Sequence, residues 1–153
     1  MLMLERLAAY WGNTKEMPLL LRLLCQGGMV VAPFLLLFLA LPLVDWEIDG
    51  RRMSYSQLWS TGYGLAFAVA LALTGVGVWG LAARNQFSRW LLVLAPTAPY
   101  VVLTAYSVSG ISANTPIGTT VLLQAVGTSA VVYVCLFHLR VVRAYLDGKG
   151  VVQ

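Results

Sequence analysis

Three long stretches without a charged side chain constrain this chain of 153 residues more than any other feature. They cover residues 23–44, 53–83 and 90–139, and a charged residue bounds each of them on both sides. A helix needs about 20 apolar residues to cross the roughly 30 Å hydrocarbon layer of a membrane. The first two stretches therefore predict one membrane span each. The third is long enough for two spans, separated by a segment rich in turn-forming residues at 107–116.

The predicted fold is an all-α integral membrane protein, a single domain over residues 1–153 that forms an antiparallel bundle of four transmembrane helices. The predicted spans cover residues 20–44, 58–83, 89–109 and 116–143, and an extracytoplasmic loop covers residues 45–57. Hydrophobic residues make up 59% of the chain and charged residues only 10%, against about 25% charged residues in an average soluble domain. This composition excludes a soluble globule or a disordered tail, and it makes the lipid bilayer, not nucleic acid, the expected partner of the basic residues.

The distribution of Lys and Arg predicts the orientation of the bundle. Eight of the ten basic residues fall in the N-terminal segment, in the loop between the second and third spans, and in the C-terminal tail. Short loops rich in Lys and Arg face the cytoplasm, so both termini are predicted to be cytoplasmic. The five tryptophans fall near the ends of predicted spans, at the headgroup level that this residue prefers. Because the chain has no N-glycosylation sequon, we expect a multi-pass protein of the bacterial inner membrane.

The N-terminal segment 1–17 is predicted to form an interfacial helix on the inner leaflet. Met3, Leu7, Tyr10 and Trp11 are spaced so that they share one helical face, which would contact the lipid. The alternative is a frayed tail in which the spacing arises by chance. Thr14 is predicted to cap the first spanning helix.

The extracytoplasmic loop carries the signature of a small β-hairpin. Asp49-Gly50 favours a two-residue turn, because a type I′ turn needs positive φ at both central residues. The resulting register pairs Trp46 with Met53, Glu47 with Arg52 and Ile48 with Arg51. We expect such a hairpin to present a partner-binding epitope formed by Asp45, Trp46, Glu47, Asp49, Arg51 and Arg52. The alternative is a merely solvated connector, since isolated hairpins are marginally stable. Ser54 and Gln57 resemble a capping box that opens the second span.

The sequence offers little for catalysis, metal binding or a cofactor. The three acidic residues of the hairpin would share one face, but they supply fewer oxygen ligands than a hard cation prefers. His138 has no second axial ligand for a haem, and Cys25 and Cys135 do not form a C-x-x-C pair. No charged residue lies in the core of a predicted span, where proton relays and ion-coupled transporters use them. We therefore expect no metal, no cofactor and no enzymatic activity.

Small residues recur every four positions along the second predicted span. They form two rows, Gly62, Ala66, Ala70 and Thr74 in one and Gly64, Ala68 and Ala72 in the other. Small residues at this spacing let the backbones of membrane helices approach closely. The second span is therefore predicted to be the central helix of the bundle, in contact with two neighbours.

Polar residues follow one face of each of the last two spans. The rows are Thr97, Tyr100, Thr104 and Ser107 in the third span, and Thr120, Gln124 and Thr128 in the fourth. An antiparallel hairpin centred near residue 112 would set Tyr100 opposite Gln124 and align the two rows. The rows then either fasten the helices by hydrogen bonds or line a small polar cavity that opens outward. We favour fastening, because the register pairs donors with acceptors. Pro96 and Pro99 predict a kink in the third span.

Three classes of function remain. The first is a non-catalytic protein that acts through protein–protein contacts within the membrane and at its outer loop, either as an accessory or assembly subunit or as an immunity-type protein against a membrane-acting toxin. Its partner would be another protein or a second copy of the chain. The alternative is a small-solute transporter or channel that works as an oligomer through the polar rows. An intramembrane enzyme or redox carrier is least favoured, because the required side chains are absent.

Overall fold

A computed structural model describes residues 5, 10–12, 14–15, 17–43, 45–48, 51–109 and 119–147, with the backbone alone at residues 51 and 119–121. These residues are mostly helical, as the predicted all-α class requires, and they include one two-stranded sheet. The elements in chain order are α1 (Leu19–Ala40), β1 (Trp46–Ile48), β2 (Arg51–Met53), α2 (Tyr55–Ser60), α3 (Tyr63–Ala82), α4 (Phe87–Leu94), α5 (Ala98–Val108), α6 (Thr119–Phe137) and α7 (Arg140–Leu146).

Two of the described helices, α1 and α3, are each long and apolar enough to cross a membrane. The pair α4 with α5, and residues 122–137 of α6 with α7, meet the same criterion when each pair is taken together, and the helices of each pair are bent by 59° and 63°, respectively. Among the described residues there are therefore two helices of membrane-spanning length and composition, or up to four if each bent pair forms one span. This supports the predicted membrane class.

The second predicted span begins with a separate short helix. The chain breaks between α2 and α3 at Gly62, whose φ of +86° is accessible to glycine at little cost. A Cβ atom on Gly62 would lie 2.8 Å from the ring of Tyr106 in α5. Gly62 therefore ends one helix and admits an aromatic ring, instead of lying within a continuous helix as we expected.

The two bends have different origins. The bend between α4 and α5 falls at Pro96, which confirms the kink predicted there, because proline has no N–H for the helical ladder. The bend between α6 and α7 contains no proline or glycine, and the sequence did not predict it. It turns α7 so that Val142, Tyr145 and Leu146 become buried. Tertiary burial is the physical reason for this second bend.

Helix α3 is the central element of the described bundle, as predicted, since it packs against α1, α2, α4 and α5. Three glycines outside the two predicted rows make close approaches between helices. A Cβ atom on Gly28 of α1 would lie 2.8 Å from Val78 Cγ1 in α3, and one on Gly77 would lie 2.7 Å from Leu92 Cγ in α4. A Cβ atom on Gly80 would overlap the hydroxyl of Ser88. None of these glycines belongs to the two predicted rows of small residues.

A core of buried side chains lies at one end of the bundle, which we call the packed end. Its members are Tyr10, Met17, Leu21, Cys25, Val78, Leu81, Ala82, Leu92, Leu136, Val142, Tyr145 and Leu146. This core joins both ends of the described chain. The opposite end carries β1, β2 and α2, and we call it the hairpin end.

Tyr10 belongs to this core, although the interfacial-helix prediction turned it toward lipid. It is 4% exposed, its hydroxyl donates to the carbonyl oxygen of Cys25 at 2.9 Å, and its ring stacks on Trp79 with the centroids 5.2 Å apart. Trp11 is 43% exposed, whereas Met3 and Leu7 lie outside the described residues. The N-terminal segment is thus attached to the bundle through Tyr10.

Thr14 does not cap α1, which contradicts the prediction. Its hydroxyl donates to the carbonyl oxygen of Trp11 at 2.9 Å, and α1 begins after Pro18 without a side-chain cap. Arg22 of α1 instead reaches back to the N-terminal segment. Its Nε donates to the Thr14 carbonyl at 3.0 Å, and its Nη2 donates to the carbonyls of Lys15 and Met17. The guanidinium of Arg22 thus joins the N-terminal segment to α1 through backbone carbonyl groups.

Candidate functional site

The predicted hairpin is present at the hairpin end of the bundle. Strands β1 and β2 pair antiparallel, with Trp46 opposite Met53, Glu47 opposite Arg52 and Ile48 opposite Arg51, which confirms the predicted register. The turn residues Asp49 and Gly50 lie outside the described residues.

The hairpin presents two opposite charges to the surroundings. Glu47 and Arg52 are exposed and occupy opposite positions in the register, yet the described residues include no ion pair between their side chains. Asp45, which precedes β1, is also exposed. An exposed ion pair contributes little to stability. These side chains are therefore available to a partner at little cost to the fold.

Aromatic contacts attach the hairpin to the bundle. The ring of Trp46 stacks on Phe67 of α3 at 6.2 Å between centroids and 23° between planes. On the other side, the Tyr55 hydroxyl donates to the carbonyl oxygen of Ala40, the last residue of α1, at 3.1 Å. The hairpin is thereby linked to α3, and α2, which follows it in the chain, is linked to α1, so the exposed charges project from a supported position.

The segment after the hairpin is ordered by its own capping box, which the sequence predicted. The Ser54 N–H donates to Gln57 Oε1 at 3.0 Å, and the Gln57 N–H donates to Ser54 Oγ at 3.4 Å. One turn later the ring of Trp59 lies against Gly64, where a Cβ atom would be 2.8 Å from the ring. Gly64 thus provides a close contact, as predicted, but with an aromatic side chain and not with a second helix backbone.

The remaining small residues of the two predicted rows differ in burial. Ala66 is buried, Ala68 and Ala70 are half-buried, and Ala72 is exposed. Ala72 borders an apolar cleft of about 440 Å³ between α1 and α3, which Pro33, Gly75 and Trp79 also line. This lining has almost no polar atoms and offers no chemistry beyond contact with apolar groups.

The polar rows of the third and fourth predicted spans bond mainly within their own helices. The Thr97, Thr104, Ser107 and Thr128 hydroxyls each donate to a carbonyl three or four residues earlier, at distances between 2.7 and 3.0 Å. Helix α6 packs against α4 and α7, and the side chain of Thr120 lies outside the described residues. The alignment of Tyr100 with Gln124 stays a prediction.

Two arginines at the packed end have surroundings that the sequence did not reveal. Arg89 is 8% exposed, with its guanidinium carbon 5.4 Å from the centroid of the Phe137 ring and its Nη2 3.9 Å from Asp147 Oδ1. Arg84 has a φ of +57° and lies 5.0 Å from the centroid of the Tyr145 ring. Both contacts join residues far apart in sequence, so no local pattern could predict them.

No catalytic constellation or metal site emerges from the part of the chain that the structure describes. No group of three or more His, Cys, Asp or Glu side chains converges among these residues. Asp49, the third acidic residue of the hairpin, lies outside them. Comparison of the chain with family models, with curated proteins and with solved structures found no match.

Proposed function

We propose that this chain is a non-catalytic protein of the bacterial inner membrane that binds another protein through its outer hairpin. The observation that carries the proposal is the hairpin itself, whose register exposes Glu47 and Arg52 while Trp46 anchors it to α3. The partner would carry charges complementary to this pair. An accessory or assembly subunit, or an immunity-type protein against a membrane-acting toxin, acts in this way.

The proposed arrangement has four spans, formed by α1, α3 and the two bent pairs. The packed end supports an even number of crossings, because its core contains both Tyr10 from the N-terminal segment and Tyr145 from α7. The basic residues Arg22, Arg84, Arg89, Arg140 and Arg143 belong to the elements and loops of this end. The excess of basic residues orients the packed end, with both termini, toward the cytoplasm and the hairpin toward the outer side.

Binding of a partner would explain why the hairpin carries two exposed charges that do not stabilise the fold. Two opposite charges lie at facing positions of a short sheet, but neither is used in an ion pair with the other within the described residues. Complementary charges across an interface steer association and fix the relative position of the partners. Trp46, on the opposite face of the hairpin, holds these charges in place by stacking on Phe67.

The test is capture of the partner from native membranes at native expression level, with identification of the captured protein. We expect the partner to be lost in Glu47→Arg and in Trp46→Ala, and to be retained in the control Glu5→Gln, which removes an exposed charge in the N-terminal segment, outside the hairpin. The double variant Glu47→Arg with Arg52→Glu restores the net charge of the hairpin but exchanges the positions of the two opposite charges, so the partner should still not be captured.

Three results would contradict the proposal. Recovery of the partner by the charge-swapped double variant would mean that net charge and not the hairpin register is recognised. Clean purification without any partner would remove the basis for an interaction protein. Solute flux in liposomes containing the purified protein alone, if abolished by Gln124→Leu, would favour the small-solute transporter or channel instead.

A further inference from the structure

Helix α6 has one face in contact with the bundle and leaves its other faces without a partner in the described chain. The inward face consists of Ala125, Ser129 and Leu136, which are buried, and it meets α4 and α7. Between these positions the side chains are mostly exposed. In a membrane-spanning helix, apolar side chains exposed in this way contact lipid at no cost.

Gln124 is the exception on this exposed surface. Its side chain is exposed and forms no hydrogen bond with another described residue, whereas the nearby Thr128 hydroxyl donates to the Gln124 carbonyl at 2.8 Å. Gln124 lies five residues after the start of α6, which places it roughly 7.5 Å along the helix axis. In the proposed four-span arrangement this depth is within the hydrocarbon layer. An amide without a partner there is costly.

We propose that two copies of the chain associate along this face of α6, with the carboxamide groups of the two Gln124 side chains hydrogen-bonded to each other. The inference rests on the proposed four-span orientation and identifies a second copy as one partner of the chain. Copies inserted in the same direction are related by a twofold axis along the membrane normal, so each residue on the axis meets itself at the same depth. A carboxamide has both donors and an acceptor, and therefore pairs with its own copy.

The neighbouring positions on this face permit the approach. Gly127, Thr128 and Val131 follow Gln124 by three, four and seven residues, and all are exposed. A Cβ atom on Gly127 would meet nothing within 4 Å, so no described part of this chain occupies the space beside it. A small residue one turn from a polar one lets two helix backbones come close enough for interhelical hydrogen bonds. A second copy therefore supplies both the polar complement and the matching shape.

The first test is disulfide crosslinking of single-cysteine variants in native membranes and in liposomes of the purified protein, after replacing Cys25 and Cys135 by alanine. We expect Gln124→Cys and Thr128→Cys to form covalent dimers. The matched control is Val126→Cys, because Val126 is 51% exposed at nearly the same depth but lies on the opposite side of α6 from Gln124. Equal crosslinking at all three positions, or none at any of them, would overturn the proposal.

The second test measures the monomer–dimer equilibrium in liposomes by energy transfer between labelled copies. Loss of two interhelical hydrogen bonds should make Gln124→Leu associate about tenfold more weakly, whereas Val126→Leu should associate as the natural chain does. A crosslink within one chain between Tyr100→Cys and Gln124→Cys would instead assign Gln124 to α5 and overturn the dimer. Association only in the presence of another membrane protein would also overturn it.

Failure of the dimer and failure of the proposed function are distinguishable. Partner capture through the hairpin uses Glu47 and Trp46, which lie far along the chain from α6 and are unchanged in the crosslinking variants. A monomeric protein that still loses its partner in Glu47→Arg would refute the dimer alone. A dimer that captures no partner at the hairpin would refute the hairpin epitope alone.

Discussion

Two adjacent glycines in α1 allow the packing of α1 on α3 to be tested by a matched pair of substitutions. A Cβ atom on Gly28 would lie 2.8 Å from Val78 Cγ1 and 3.4 Å from Cγ2, whereas one on Gly27 would meet nothing within 4 Å. Carbon atoms in favourable contact are separated by about 3.5–4.0 Å. Val78 is fully buried, and its branched side chain has one strongly preferred rotamer in a helix, so it cannot turn away. Alanine at position 28 therefore forces α1 and α3 apart.

The magnitude follows from two opposing terms. Overpacking a well-packed core costs about 1–3 kcal/mol, while alanine is favoured over glycine within a helix by roughly 0.5–1 kcal/mol. The second term is common to Gly28→Ala and Gly27→Ala, so the difference between the two variants isolates the first. In a chain of this size 1 kcal/mol corresponds to about 4 °C in melting temperature. We expect Gly28→Ala to melt about 4–12 °C below Gly27→Ala.

Unfolding can be followed by the exposure of Cys25, because this residue is fully buried in α1, three residues before Gly28. In a Cys135→Ser background, a thiol-reactive fluorescent dye reports exposure of Cys25 as the protein in detergent is heated. Adding Val78→Ala to Gly28→Ala removes the clashing methyl groups and should narrow the gap to Gly27→Ala. Equal melting temperatures for Gly28→Ala and Gly27→Ala would refute the close approach of the two helices.

Two further predictions concern the two ends of the bundle. Burial raises the pKa of the Tyr10 hydroxyl above the usual 10.0, so the folded state holds this proton more tightly than the unfolded state does. The resulting contribution to the stability of the fold is present below about pH 10 and is lost as the pH rises further. Circular dichroism melts should therefore show a steeper loss of stability above pH 10 in the natural chain than in Tyr10→Phe, and parallel curves would contradict the burial of this hydroxyl. At the hairpin end, Ser54→Ala removes the capping box of α2 and should destabilise the chain by about 1 kcal/mol. The control is Ser60→Ala, at the exposed last residue of α2, and an equal effect of both would argue against the cap.

Local features of the site were predictable because the interacting residues are close in sequence. The hairpin register depends on the six residues from Trp46 to Met53 that pair around the turn, and the capping box on residues three apart. The kink near Pro96 follows from the covalent structure of proline alone. In each case the forces that determine the geometry act within one turn or one hairpin.

The predictions that were wrong, and the features that were not predicted, concern contacts between residues that are distant in sequence. Tyr10 has the spacing of an interfacial face, but the carbonyl of Cys25 and the ring of Trp79 offer it a buried position. Thr14 precedes α1 at the position of a cap, yet the hydrogen bond at this junction comes from the Arg22 side chain, which donates to the Thr14 carbonyl. Neither partner can be recognised without knowing which helices are neighbours.

The sequence by itself indicated the membrane class of the protein, since long apolar stretches without charge match the thickness of a bilayer, and it determined the hairpin through local pairing. The tertiary structure decided which small residues serve packing. Close approaches occur at Gly28, Gly77 and Gly80, which lie outside the regularly spaced rows, as well as at Gly62 and Gly64 within them. The physical reason is that a missing Cβ matters only where another helix crosses, and the crossing point depends on the shapes of both helices.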